Sequence, residues 1–275
     1  MLRIKQRLTS VVIILSLALV PKGRRMVKQV KLEEFKLLIF ANEIVGRLIW
    51  LFGSFERLES GYFRAQIRPD DVCFDVGGNI GYFTMLMASR LKSGHVHVFE
   101  PIPINAAMIE LNKQLNGFKN VTVNNAALGH EKGVAQFAVS ADSAFSSLLV
   151  EAETAPGDTI AVPVVRLDDY LAERGFARLD ILKVDVEGAE GLVIGGAENT
   201  LSNPMARPRI ILLELVDHRL AQFGTSTDAL VSKLRSYGYV PHVLRGKSEL
   251  HPYAGPRGMD EYNIIFTATE NSRSR

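Results

Sequence analysis

Two apolar runs in the second half of the chain end in acids. LDILKVDVEGAE, Leu179 to Glu190, crowds Lys183, Asp185, Glu187 and Glu190 together, and IILLEL brings Glu214 close ahead of His218. A carboxylate or histidine within hydrogen-bond reach of a hydroxyl orients it or accepts its proton. The same side chains can instead hold a divalent cation that lowers the hydroxyl's pKa. Asp185, Glu187, Glu214 and His218 are read as candidate acid–base residues, because carboxylates alone do not identify a metal. If a cation is used, Asp185 and Glu214 are the pair to hold it. Lys183 is open between an ion-pair partner and a site residue, and Glu190 reads as a helix-start acid facing the dipole.

Upstream, Val72 to Pro101 reads as an apolar strand, a glycine-rich turn, a helix and a second strand ending in Glu100. That order describes the nucleotide half of a doubly wound α/β domain. Gly77, Gly78 and Gly81 let the turn tighten and approach a ligand. Glu100 stands 19 positions beyond Gly81, the place from which an acid typically reaches ribose hydroxyls. A nicotinamide dinucleotide normally meets G-x-G-x-x-G, and the turn Gly77-Gly78-Asn79-Ile80-Gly81 lacks that spacing. Asp75 just ahead of it suits a cationic ligand, and S-adenosylmethionine carries both an ammonium and a sulfonium. Glycines serving close packing alone are the competing interpretation.

The elements that must position these residues follow from seven apolar runs, at 72–76, 95–100, 121–125, 179–185, 209–215, 239–244 and 262–268. Helical stretches Thr84–Leu91, Asn105–Leu115, Leu167–Arg174 and Asp228–Tyr237 lie between them, as parallel crossovers require. The last two runs are expected to form an antiparallel pair at one edge. Asp168 and Asp169 are expected to cap the helix before the fourth run. Alternating segments 134–139, 146–150 and 160–165 predict a β-rich insertion over the ligand. In a parallel sheet the carboxyl ends of the strands face the ligand crevice, which is where Asp185, Glu187 and Glu214 fall.

With 275 residues, 47% of them hydrophobic, the chain divides into one α/β domain and an N-terminal appendage. The divisions read as 1–25, basic and hydrophobic; 26–60, a helical extension; 61–270, the α/β domain; and 271–275, a polar tail. The lone Cys73, inside the first strand, excludes an internal disulfide and reads as a core residue. Apolar residues at three- and four-residue spacings predict a helix over 26–52, with Trp50 packed on it. Through Lys31 the chain has eight lysines or arginines and no acid, leaving the remainder at −6. A basic end on an acidic body argues against a nucleic-acid binder and fits contact with an anionic membrane. The run VVIILSLALV, residues 11–20, is shorter than the ~20 residues of a membrane span. Docking on the protein's own domain or on a second subunit, making a homo-oligomer, is the alternative.

The pieces DVGGNIGYFT, HVFEPIP followed by Asn105, NAALG, SSL, VRLDDYL, LKVDVEGAEGLVIGGA, IILLEL and EYNIIF resemble the FkbM family of S-adenosylmethionine-dependent methyltransferases. The resemblance covers about residues 60–268; Gly78 stands where alanine is common in the family. It implies a Rossmann-like class I fold, α/β, with a seven-stranded mostly parallel sheet. The implied reaction is methyl transfer to a hydroxyl of a sugar, glycan or other small metabolite, in the cytoplasm or at the inner face of its membrane. By position, Asp75, Gly77, Gly78, Asn79 and Gly81 would line the methionine side. Glu100 would hold the ribose, and Ala126 would lie by the adenine. A cofactor-binding scaffold and a nicotinamide-dependent oxidoreductase are the alternative functions.

Overall fold

The computed structural model describes residues 25–138, 147–148, 159–176, 178–255 and 261–269. The expected apolar run 11–20 and polar tail lie outside them. The described chain opens with an antiparallel hairpin, β1 (Val27–Lys31) and β2 (Lys36–Phe40), followed by α1 (Ile44–Phe52) and α2 (Arg57–Gln66). The helix expected over 26–52 is therefore present only from Ile44 onward. Its first half is a strand pair for a physical reason. Leu37 and Ile39 are fully buried with Leu38 half-buried between them, a period of two.

Beyond the hairpin run β3 (Val72–Val76), α3 (Tyr82–Arg90), β4 (His95–Phe99), α4 (Pro103–Asn116) and β5 (Val121–Asn124). Two asparagines one turn apart on α4 act as a substitute strand for β2. Asn112 accepts from Leu38 N at 2.6 Å and donates to the Leu38 and Ile80 carbonyls at 3.1 and 2.9 Å. Asn116 repeats the pattern on Lys36, at 2.8 and 2.7 Å. These bonds satisfy an edge that would otherwise be costly to bury.

The insertion forms its own four-stranded sheet, in the order β6-β9-β7-β8, from β6 (Ala127–Leu128), β7 (Gly133–Ala138), β8 (Ser147–Leu148) and β9 (Thr159–Val165). Then come α5 (Leu167–Glu173), β10 (Ile181–Val184), α6 (Glu190–Gly195), α7 (Glu198–Ser202) and β11 (Ile210–Val216). The chain continues through α8 (Asp217–Leu220), α9 (Thr227–Ser236), β12 (Tyr239–Arg245), β13 (Glu249–Pro252) and β14 (Glu261–Ala268). Asp168 caps a helix other than the expected one. It accepts from Asn199 N and Thr200 N, each at 3.0 Å, at the start of α7, while α5 has Arg166 at its N-cap without a side-chain bond.

The central sheet has the order β13-β12-β14-β11-β10-β3-β4-β5, parallel from β5 through β11. All seven expected strands are present in a class I methyltransferase arrangement, and β13 adds an eighth. The expected antiparallel pair forms between β12 and β14, with β14 inserted next to β11, and β13 rather than that pair makes the margin.

Alternation divides each strand between two cores. Cys73, Ile181 and Leu212 face the hairpin, α3 and α4, whereas Phe74, Leu182 and Leu213 face the opposite layer. The same parity turns Asp75, Lys183 and Glu214 toward the first layer. Asp75 and Lys183 are direct register partners.

Asn112→Ala leaves the Leu38 amide and two carbonyls without partners. With about 1–3 kcal/mol for each buried polar group stranded and some relief from water, we expect a loss of about 3 kcal/mol. Asn116→Ala, at the exposed end, should cost less than about 1 kcal/mol. Urea unfolding of both variants checks the difference.

Candidate active site

Lys183 is 2% exposed and its Nζ lies 3.1 Å from Asp185 and 3.7 Å from Asp75. Burial alone would strip its proton, but Asp185 and then Asp75 more than reverse this and hold the ammonium above its ordinary pKa. Thr84 Oγ1 donates to Asp75 at 2.6 Å. The Phe83 ring sits 5.0 Å from Nζ, an apolar wall as well as a cation–π partner.

Asp185 and Glu214 are hydrogen-bonded to each other, and their pKa values move apart. Glu214 is pushed far above the carboxylate range, first by the Asp185 charge and then by burial. Burial would raise Asp185 too, yet Lys183 and the Glu214 hydrogen bond hold it below its ordinary value. At neutral pH these opposite shifts leave the pair sharing one proton, with Glu214 the carboxyl whose affinity for it is raised. Glu187 completes a triangle in which one oxygen from each residue lies within 4.8 Å of the others. An ion pair with Arg219 occupies Glu187.

Two loops frame this triangle. After β3, Gly77, Asn79 and Gly81 have φ of 81°, 49° and 89°, a conformation that favours glycine at the first and last positions. A Cβ on Gly77 would come within 1.7 Å of the Asp185 carbonyl oxygen, and one on Gly78 within 2.3 Å of Val98. These glycines thus make room for protein atoms, in agreement with the packing interpretation. After β10, Glu187 and Gly188 are at φ 59° and 109°. The Glu190 carboxylate closes that turn by accepting from Val186 N and Gly188 N at 3.0 and 3.2 Å.

Glu100 accepts from Asn79 N at 2.7 Å and Ile102 N at 2.9 Å, and burial pushes its pKa up to about 7 despite these bonds. It lines a cavity of about 550 Å³, within the usual range for a ligand the size of a cofactor. Asn79 and Asn105 line the same wall, and each has a buried side-chain oxygen with no partner among the described residues. Those acceptors fit the hydroxyl and ammonium donors of S-adenosylmethionine. Ile102, Leu128 and Phe137, two of them from the insertion, supply an apolar wall of the kind an adenine needs.

The structure brings together Asp75, Gly77, Gly78, Asn79, Glu100, Asp185, Glu187 and Glu214 around one cavity. Gly81 instead starts α3 and packs on Ile109. Ala126 is buried behind the wall, and its neighbour Ala127 lines the cavity. His218 is exposed on α8, and Arg219 beside it reaches the cavity. Neighbouring helical residues point about 100° apart, so sequence proximity to Glu214 did not decide which one enters. Glu56 was also missed. It lines the cavity with φ 41° and adds negative charge near Lys183 and Glu214.

Lys183→Met removes the cation between buried Asp75 and half-buried Asp185 and should cost about 3–5 kcal/mol at pH 7. Without it, the folded-state pKa of Asp185 loses its depression and that of Asp75, already raised by burial, rises further, so the deficit grows with pH and shrinks under acid. Denaturant unfolding at pH 5 and pH 7 measures this slope.

The Methyltransferase FkbM domain matches residues 75–241. A 31-O-demethyl-FK506 methyltransferase, FkbM, of Streptomyces tacrolimicus is 28% identical over 70% of this chain and 83% of its own. The 2-O-methyltransferase NoeI of Sinorhizobium fredii (strain NBRC 101917 / NGR234) is 28% identical over 65% of this chain and 77% of its own. A solved FkbM methyltransferase from Methylobacillus flagellatus KT aligns with a TM-score of 0.48 at 16% identity, covering 74% of this chain and 45% of that one. With the domain match spanning more than half its length, and the glycine loop, Glu100 and Lys183, Asp185 and Glu187 of the K-x-D-x-E-G-x-E motif gathered on one cavity, this chain belongs to the FkbM family of S-adenosylmethionine-dependent methyltransferases.

Proposed function

We propose that this methyltransferase acts on a hydroxyl of a sugar, glycan, glycolipid or other small metabolite, with Asp185 receiving the hydroxyl's proton. The observation that carries the reading is the convergence of Asp185 and Glu214 beside the cofactor loop, with the Lys183 ammonium 3.1 Å from Asp185. O-methylation in the names of two relatives agrees with it. The cytoplasm, where S-adenosylmethionine is available, is the compartment this chemistry suits.

The bound cofactor supplies an electrophilic methyl group on a sulfonium. Asp185 aligns the acceptor hydroxyl, Glu214 donates its proton into Asp185 to hold that orientation, and Lys183 keeps Asp185 ionised. An acceptor oxygen receiving that methyl would gain positive charge, and its proton would become strongly acidic beside Asp185. A carboxylate of lowered pKa therefore suffices as acceptor, because the proton leaves late. Orientation supplies the larger share of the rate. Glu100, Asn79 and Asn105 would hold the cofactor's polar groups.

A divalent cation on Asp185, Glu187 and Glu214 is the second reading, favoured by their convergence. The ion pair that Arg219 makes with Glu187 weighs against it. Loss of turnover on chelation, restored by one added metal, would favour the cation.

Release of S-adenosylhomocysteine, measured over a panel of sugars, glycolipids and secondary alcohols, tests the function; transfer to amines alone would contradict it. With a working acceptor, Asp185→Asn should lower turnover by roughly 10²–10⁴-fold, the scale of general-base catalysis. Glu214→Gln preserves a neutral donor and should lose less than about tenfold. Equal losses from both amides would remove the asymmetry on which the mechanism rests.

The pH dependence separates binding from chemistry. Glu100 is ionised above about 7 and protonated below, and a protonated carboxyl has less capacity to accept from a ribose. Calorimetry should find S-adenosylhomocysteine affinity falling with pH below 7, by at most about tenfold per unit. Glu100→Gln should bind more weakly and flatten that slope. A parent slope that the variant reproduces would free Glu100 of the role.

A further inference from the structure

We propose that the end of α1 and the start of β1 form a docking surface for an anionic lipid membrane. Met26, Val27, Trp50, Leu51 and Phe52 are between 44 and 56% exposed. The last three are consecutive on a helix, where they span about 200° around its axis, so the helix end projects from the domain. The Lys28 ammonium lies 3.5 Å from the Trp50 ring centroid and joins the two parts of the patch. A half-exposed tryptophan departs from the packed one expected from sequence. With apolar residues beside it and a cation on its ring, it has the makeup of an interfacial anchor.

Charge selects the occupant. The eight bases through Lys31 meet no acid within that stretch, and Arg25, the first described residue, immediately precedes the patch. Residues 1–24, with the apolar run 11–20, therefore join the domain at this surface. A second copy docking here would bring the exposed Lys28 and Lys31 against their like. An anionic bilayer neutralises them and receives the apolar side chains, and two such weak signals together make a stable attachment. At its other end α1 lines the catalytic cavity with Ile44 and Val45. Nine residues of helix rise about 13 Å, so docking brings the cavity close to the lipid headgroups.

Sedimentation of the full chain with phosphatidylcholine vesicles, with and without roughly one third phosphatidylglycerol, tests the surface. The protein should sediment with the anionic vesicles, remain in solution with the neutral ones, and be released by high salt. The triple variant Trp50→Ser/Leu51→Ser/Phe52→Ser should lose at least about tenfold in partitioning with its circular dichroism spectrum unchanged. Deletion of residues 1–24 should also weaken partitioning. The proposal is overturned if the parent ignores anionic vesicles or if the triple variant binds like the parent. It is likewise overturned if the triple variant's only effect is to turn a dimer into a monomer, which would assign the patch to a second copy. None of these readouts depends on methyl transfer, so the surface and the proposed reaction stand or fall separately.

Discussion

A lysine ammonium almost out of reach of water keeps its proton only while anions surround it. In this protein Asp75 and Asp185 provide the anions. Register pairing sets Asp75 and Lys183 side by side on adjacent strands, and the two-residue period returns Asp185 to the same face at the strand's end. Lys183 in turn lowers the pKa of Asp185, and the Asp185 charge raises that of Glu214. The charge state of the whole edge thus follows from one buried cation.

That electrostatic chain needs two loops in fixed positions. Gly77 lies against the Asp185 carbonyl with no space for a Cβ, so the cofactor loop and the acidic loop set each other's place. Glu100 ties the first loop through Asn79, and Glu190 ties the second through Val186 and Gly188. Both acids are lifted to about 7 by burial, yet they differ in exposure to the cavity. Glu100 lines it, whereas Glu190 is absorbed in its own turn. Asn112 extends the framework outward, joining Ile80 of the cofactor loop to the hairpin.

Strand order and most of the cavity residues were legible because parallel strands are buried as apolar runs and present their carboxyl ends to the ligand. Asp75, Glu100, Asp185, Glu187 and Glu214 all stand just inside or beyond such ends. The hairpin was not legible. Val27, Val30, Phe35 and Leu38 mimic a helical period, and the partners that favour a strand, Asn112 and Asn116, are remote in sequence. The choice between His218 and Arg219 depends on the phase of a four-residue helix, which no periodicity can fix. Trp50 looked like a packing residue because composition does not reveal that a helix end projects from its domain.

Whether Glu214 holds the proton of the pair is read most directly by infrared difference spectroscopy of the parent against Glu214→Gln at neutral pH. The parent should show a protonated-carboxyl carbonyl band that vanishes in the variant, while the ionised carboxylate band of Asp185 stays. A Glu214 that is ionised at neutral pH, with no such band to lose, would contradict the single shared proton and the asymmetric roles derived from it.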